Sequence, residues 1–507
     1  MKVSGLGHFS VGQPVPNRDH AVCVSLPKVS DLVGYEEKKP ETIDLMKSGY
    51  PRFVRNHRVE SLANHYKLTN PKMGTESFFF TEESIVDWML NRYSISEYEK
   101  LQIDDIIHLR LPKGSESTDL CRRFQQNTGS EISSRHAEDI LYRKGIISRR
   151  ELIHSPESDA HDQICEVISK AHGPEIDPED VLLASSGANA FFSVFKIAAE
   201  KARLKNKRIW IQLGWLYLDT LEAMQLVVQE DEEIIALNKL EDFDKLISLF
   251  KDCGNTIAGV VTEFPTNPLM QSFDIEVLHQ TCQKHQAILV IDPTMVSPKN
   301  AKVSSFADVV VNSLTKYANW EGDVMMGSLV FPKRSILGRE LMHPTEDSIS
   351  RPFNRDLERM AEQISFYDSF IEHTNLKNMQ IAEFLIRHPQ VKQIHWAYQS
   401  VCSDNYRKLA GDERPGCVVS FEIKGDFECF YDSLEMLKSP SFGTEFSLCC
   451  PYVYLAHYSM TKSVQGRQIL TEAGICPQLL RLSVGLEPVD EIIEVLKQSL
   501  DFTHSKS

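Results

Sequence analysis

The stretch Ala307–Gly327, ADVVVNSLTKYANWEGDVMMG, decides how the chain is read. Its three consecutive valines predict a short buried strand. The strand runs out into polar residues, with Ser313 and Thr315 flanking the approach to Lys316. An ammonium group drawn out of water loses hydration that only a partner can replace. Lys316 therefore needs a counter-charge or a chemical task.

The same pattern recurs upstream. From Val181, short apolar runs in DVLLASSGANA, RIWIQLG, TIAGVVTEFPTN and AILVIDPTM alternate with amphipathic helical stretches, of which DIEVLHQTCQKHQ is the clearest. This alternation predicts an α/β unit over 176–335, a mostly parallel sheet covered on both faces. Beyond Pro332 the texture changes. RDLERMAEQISFYDSFIEHTNLKNMQIAEFLIRH is helical, while GCVVSFEIKG, YVYLAHYS and LLRLSVGLE read as strands ahead of a last helix in VDEIIEVLKQSL. Residues 336–507 are thus expected to form a smaller α+β domain. Residues 1–175 read as an extension of packed loops and short helices, rich in Pro, Gly and aromatics around GQPVPNRDHAVCVSLP and SGYPRF, with apolar residues at helical spacing along AEDILYRKGIISRRELIH.

A formal charge of −16 argues against a surface that tracks nucleic-acid phosphates or an anionic membrane, and no basic run offsets it. No apolar stretch approaches the roughly 18 residues that span a bilayer. The amino terminus carries neither a secretory apolar core nor an Arg-rich presequence. A cytoplasmic protein is expected. The 11 cysteines include no CxxC pair, which predicts free thiols in a reducing compartment and no metal site.

In an open parallel sheet the ligand lies beyond the carboxyl ends of the strands, and here those ends are polar. VLLASSGANA ends in Ser186 and Gly187 and opens a helix whose first amides suit an anion. VVTEFPTNP delivers Glu263 and Asn267, ILVIDPTM delivers Asp292, and VVVNSLTK delivers Ser313, Thr315 and Lys316. Each has a plain structural alternative: Ser186 as a helix cap, Asp292 as a cap for a neighbouring helix, Lys316 reaching to solvent. Their convergence favours a common task. An anion cradle, an amide, a carboxylate and an amine match pyridoxal 5'-phosphate (PLP), which needs a lysine for its aldehyde, an acid for its ring nitrogen and donors for its phosphate.

At these residues the chain resembles the Cys/Met-metabolism PLP enzymes of fold type I. The blocks that carry the likeness include SSGANA, YLDT, EFPTNPLM, IDPTM, NSLTKYANWEGDVMMGSLVF, FGTEFSLCCPYVYLAHYS and LRLSVGLE. The amino-terminal GQPVPNRDHAVCVSLP and GYPRF are similar to the extension of the long, fungal-type cystathionine gamma-synthases. The resemblance implies Lys316 as the Schiff-base lysine, Asp292 as the partner of the ring nitrogen, and Ser186, Gly187, Ala188, Ser313 and Thr315 as the phosphate cradle. It implies that Tyr217 stacks on the cofactor ring, the alternative being a core tyrosine. It implies Arg481 and Ser447, with Asn267 beside them, as the clamp on the substrate carboxylate, for which an arginine fork is suited.

The activity so implied is γ-replacement on an O-acyl-L-homoserine by L-cysteine, giving L-cystathionine in transsulfuration towards methionine. A cystathionine lyase or an O-acylhomoserine sulfhydrylase would use the same cofactor set, and a non-catalytic binding protein could keep the fold. A homodimer or homotetramer is implied, with a basic or phenolic residue of 131–146 reaching a neighbouring subunit's phosphate; Arg135, Tyr142 and Arg143 are the candidates. Three features depart from the family pattern. Ala188 replaces a usual Met, the inter-subunit Tyr/Arg pair has no clean counterpart, and Trp320 with Glu321 follow the lysine where smaller residues are common, which is expected to reshape the substrate channel.

Overall fold

Along the central strands, neighbouring residues enter different cores, as a sheet covered on both faces requires. Ile211 and Leu213 pack on one side with Leu289, Ile291 and Val310, whereas Trp210, Ile288, Val290, Val309 and Val311 pack on the other. The computed structural model describes residues 5–46, 54–69, 74–154, 156 and 158–504. In chain order its strands are β1 (Pro14–Val15), β2 (Cys23–Val24), β3 (Thr75–Phe80), β4 (Glu99–Ile103), β5 (Ile106–Pro112), β6 (Val181–Ala184), β7 (Ile209–Leu213), β8 (Glu233–Leu237), β9 (Ile257–Glu263), β10 (Ile288–Asp292), β11 (Val309–Ser313), β12 (Gly327–Val330), β13 (Val391–His395), β14 (Val418–Ile423), β15 (Leu437–Lys438), β16 (Leu448–Pro451) and β17 (Leu480–Ser483).

The large sheet has the order β6-β12-β11-β10-β9-β7-β8. All its strands are parallel except β12, which runs antiparallel to both β11 and β6. The carboxyl ends of β6, β7, β9, β10 and β11 therefore open on the same edge. Because β12 returns beside β11, the connection that carries Lys316 is closed at both ends by one hairpin, with Ser313 opposite Gly327. The carboxy-terminal sheet, β13-β14-β17-β16-β15, packs against the helix Val489–His504 and the amino-terminal segment. Leu26 N donates to Lys438 O at 2.9 Å, and Tyr431 Oη donates to Leu26 O at 2.9 Å.

Four readings of the sequence change. Residues 1–175 are not mainly loops, because β3, β5 and β4 form an antiparallel sheet with helices packed against it. The β4–β5 hairpin turns at Asp104 and Asp105, whose φ values of 50° and 63° are those of a tight primed turn. In AEDILYRKGIISRRELIH the helix is Ser134–Arg143 and stops short of the second half. In YVYLAHYS the chain is not a strand: β16 ends at Pro451, and the aromatics fall on the short helices Tyr452–Ala456 and Tyr458–Lys462. Finally, β8 and β12 extend the large sheet beyond the runs recognised in sequence. The SGYPRF stretch lies outside the described residues.

All eleven cysteines are free thiols. Among the described residues, no helix is long and apolar enough to cross a membrane.

Candidate active site

A cavity of about 870 Å³ opens at the carboxyl edge of the large sheet. Its walls come from that sheet, from β16 and β17, and from the amino-terminal segment. Ten of the eleven site residues expected from the sequence line it: Ser186, Gly187, Ala188, Tyr217, Asn267, Asp292, Ser313, Thr315, Lys316 and Arg481.

The exception is Ser447. It is fully buried behind the wall, where its hydroxyl donates to Glu487 Oε2 at 2.8 Å and accepts from Gly485 N at 2.9 Å. Those bonds hold the β16 backbone, so the expectation that Ser447 meets the substrate carboxylate is corrected. The serine of this segment that reaches a site residue is Ser441, whose Oγ accepts from Lys316 Nζ at 2.8 Å.

Lys316 is 6% exposed, and its ammonium also sits 5.2 Å from the Phe442 ring centroid. The turn that presents it is pinned on several sides. Thr315 Oγ1 donates to Met326 O and accepts from Met326 N, so that hydroxyl is already engaged across the hairpin. Asn319 Oδ1 accepts from Asp323 N and Val324 N. Tyr317 N donates to Gly443 O at 3.0 Å. A Cβ on Gly443, whose φ is +75°, would lie 2.6 Å from Tyr317 N, so a side chain there would push the lysine turn away.

At the anion end, Ser186 caps the helix Gly187–Leu204, its Oγ accepting from Asn189 N at 3.0 Å. The capping role and the cavity position therefore coexist. The first amides of a helix have no acceptor within it, and those of Gly187 and Ala188 belong to residues that line the cavity. Gly187 packs so closely on Ser313 that an added Cβ would come within 2.8 Å of the serine Cβ.

Two acids stand side by side on the opposite wall, Glu263 and Asp292, which are register partners at the ends of β9 and β10. Burial pushes Asp292 up to about 6 against the opposing bonds from Thr294, whose N donates to Asp292 Oδ1 at 2.8 Å. Burial, and then the Asp292 charge, push Glu263 up to about 8. Both sites thus favour a cationic neighbour or a retained proton.

Arg481, 6% exposed on β17, donates from Nη1 to Asn267 Oδ1 at 3.1 Å and from Nη2 to Pro440 O at 2.6 Å. Its guanidinium lies 5.1 Å from the Phe442 ring and 5.5 Å from the Tyr452 ring. It forms no ion pair among the described residues. A buried guanidinium held only by neutral groups is a place prepared for an anion.

Two further expectations change. Trp320 and Glu321 do not line the cavity: Trp320 Nε1 donates to Gln363 O at 2.9 Å, and Glu321 accepts from Arg18 and Arg359. They anchor the lysine turn to a buried ionic cluster instead of shaping a channel. Arg135 belongs to that cluster, bound to Glu151, Asp356 and the Asp323 carbonyl at 1% exposure, and so is not free to reach a neighbouring subunit. Tyr142 and Arg143 remain at the surface, with Arg143 paired to Asp105 and Asp139.

Sequence reasoning undervalued Glu263, Ser441, Phe442 and Tyr452. Glu263 was visible as a polar strand end. The others lie in the carboxy-terminal unit, where only the folded chain brings SPSFG to the lysine.

The family model for the Cys/Met metabolism PLP-dependent enzymes matches residues 176–501. An L-2-amino-4-chloropent-4-enoate dechlorinase/desaturase of Streptantibioticus cattleyicolor is 29% identical over 96% of this chain and 98% of its own. The cystathionine gamma-synthase of Neurospora crassa is 23% identical over 98% of this chain and 99% of its own. Among solved structures, cystathionine gamma synthase from Xanthomonas oryzae pv. oryzae, in complex with aminoacrylate and cysteine, superposes with a TM-score of 0.59. It is 21% identical, and the match covers 69% of this chain and 87% of that one. Yeast cystathionine gamma-lyase gives a TM-score of 0.57 at 24% identity, covering 66% of this chain and 84% of the lyase. At these identities the solved structures establish the fold.

Proposed function

Because the chain belongs to the Cys/Met metabolism PLP-dependent enzymes, we propose that it acts at the γ-carbon of an L-amino acid, replacing the acyloxy group of an O-acyl-L-homoserine by the thiol of L-cysteine to give L-cystathionine. The observation that carries an amino-acid substrate is Arg481, a buried guanidinium with no ion pair among the described residues, on the wall of the cavity that holds Lys316 and Asp292. The γ-carbon is favoured by relatives aligned over nearly the whole chain. One is a cystathionine gamma-synthase, and another has a name that places its chlorine on carbon 4, the γ-position.

The donor set fits PLP. Lys316 would hold its aldehyde carbon, the Asp292 carboxylate its ring nitrogen, and the helix amides of Gly187 and Ala188 with the Ser186 and Ser313 hydroxyls its phosphate, while Thr315, whose hydroxyl is held by Met326, would line the pocket beside them. Tyr217 would cover a face of the ring. When bound, the cofactor supplies an electron sink that acidifies the bonds at Cα of the attached amino acid. The buried Asp292 would gain from a cationic partner and so would favour a protonated ring nitrogen beside it. Arg481 takes the α-carboxylate with its two-donor fork, and Asn267 holds that fork in place. Lys316, as a free amine, would take the proton from Cα and then one from Cβ, so that the acyloxy group could leave as a carboxylate, and would return those protons after the new bond forms. The cysteine thiolate then forms the new bond at Cγ.

A second reading, γ-elimination, is favoured by the S. cattleyicolor relative, whose identity to this chain is the higher of the two. A sulfhydrylase differs only in taking sulfide. The proposed assembly is a homodimer or homotetramer, and the free thiols suit a cytoplasmic setting. The deciding experiment supplies O-acetyl- or O-succinyl-L-homoserine with cysteine, with sulfide, or alone, and identifies products by mass spectrometry. Cystathionine supports the proposal. A 2-oxo acid with ammonia and the released acetate or succinate, and no thioether, supports elimination, homocysteine from sulfide supports the sulfhydrylase, and no product from any donor rejects all three.

A further inference from the structure

Both carboxyl oxygens of Glu263 are engaged, and by separate segments. Oε1 accepts from Tyr217 N at 2.6 Å, at the start of the helix Leu218–Val227, and Oε2 accepts from Asn267 N at 2.9 Å, in the turn after β9. Asn267 Oδ1 in turn accepts from Arg481 Nη1 on β17. One buried acid, 5% exposed, therefore ties together the segment that carries the ring-facing tyrosine and the pair that faces the substrate carboxylate.

We propose that Glu263 is a positioning residue that fixes the spacing between Tyr217 on the cofactor side and the Asn267–Arg481 pair on the substrate side. A carboxylate suits the task because it offers two acceptor oxygens in one plane, where an amide offers one. An acid is costly there, since burial and the adjacent Asp292 both oppose its charge. Two backbone amides aimed at it offset part of that cost. Glu263 acts through its neighbours, so cofactor placement and substrate affinity should change together when it is altered. The inference rests on the cavity being the cofactor and amino-acid site, not on which γ-reaction follows, and its test therefore measures binding alone.

Glu263→Gln keeps the side-chain length but turns one acceptor into a donor that faces a backbone N–H. Apo-protein titrated with PLP, and holoenzyme titrated with L-2-aminobutyrate, which has no γ leaving group, should each bind about tenfold more weakly, the scale of one mispaired buried hydrogen bond. The thermal midpoint should stay near that of the parent. In an Asn267→Ala background the loss of aminobutyrate affinity on Glu263→Gln should vanish while the loss of PLP affinity persists. Parent-like affinities, equal losses in both backgrounds, or a lower midpoint with unchanged binding per folded molecule would each overturn the proposal. If Glu263→Gln does not fold, amide hydrogen exchange on the parent decides. The Tyr217 and Asn267 amides should both exchange slowly and slow further together when aminobutyrate binds, and fast exchange at either would reject the role.

Discussion

Replacing Arg481 by lysine keeps the positive charge and removes the planar fork. In the structure that fork is held by Asn267 at 3.1 Å and by the Pro440 carbonyl at 2.6 Å, between the rings of Phe442 and Tyr452. A lysine ammonium is a compact donor that cannot keep those two anchors and still offer two parallel N–H groups to a carboxylate. The loss is one charge-assisted hydrogen bond, about 1.5–3 kcal/mol, plus the ring contacts, about 0.5–1 kcal/mol. Affinity for an α-amino acid should fall by about 2–4 kcal/mol, or roughly thirtyfold to a thousandfold. The assay is a titration of holoenzyme with L-2-aminobutyrate, followed by cofactor absorption, with cofactor content measured in parallel. Content should match the parent, because Arg481 is assigned to the substrate. An Arg481→Lys protein that binds the analogue as tightly as the parent would refute the carboxylate clamp, and with it the main support for an amino-acid substrate.

Other outcomes follow from the same geometry. Asp292→Ala should bind the analogue nearly normally yet turn over far more slowly at saturation, because the ring nitrogen loses its counter-charge; steady-state kinetics separate the two effects. His172 is fully buried, and burial, helped by Lys302, lowers it from 6.5 to about 3. The folded state therefore refuses a proton that the unfolded chain takes below pH 6.5, so this stability is present above 6.5 and lost as pH falls towards 3. Relative to His172→Leu, the parent should lose about 1.4 kcal/mol per pH unit in that window, read by denaturant titration. In light scattering the active enzyme should be a dimer or tetramer, and a fully active monomer would contradict that assembly.

How much of this was legible in the sequence depends on how local each feature is. The VVVNSLTK and ILVIDPTM runs carry strand and site residue in one window, so Lys316 and Asp292 could be placed without the fold. Ser441 and Ser447 could not be told apart, because both precede apolar residues in one segment, and only the pairing of β16 with β17 turns Ser447 towards Glu487. Glu263 reads as one more polar strand end until its two amide donors, 46 positions before it and 4 after it, are seen to converge. The amino-terminal sheet was hidden for a different reason. TESFFF and the IDDI turn are strand and hairpin signals, but the Pro-bearing stretches upstream, GQPVPNRDHAVCVSLP and SGYPRF, set the reading of the whole segment as loop. Trp320 and Glu321 are expected at the channel only because the family resemblance has smaller residues after the lysine, and their bonds to Gln363, Arg18 and Arg359 show that they face the other way.

The central claim is that Lys316 is the covalent anchor of the cofactor, and peptide mapping tests it most directly. Holoenzyme reduced with borohydride, digested and sequenced by mass spectrometry should carry a phosphopyridoxyl group on the peptide that contains SLTKY, and Lys316→Ala should carry none on any lysine and lose turnover. A phosphopyridoxyl group on a different lysine, or a Lys316→Ala enzyme that keeps covalent cofactor and activity, would contradict the account.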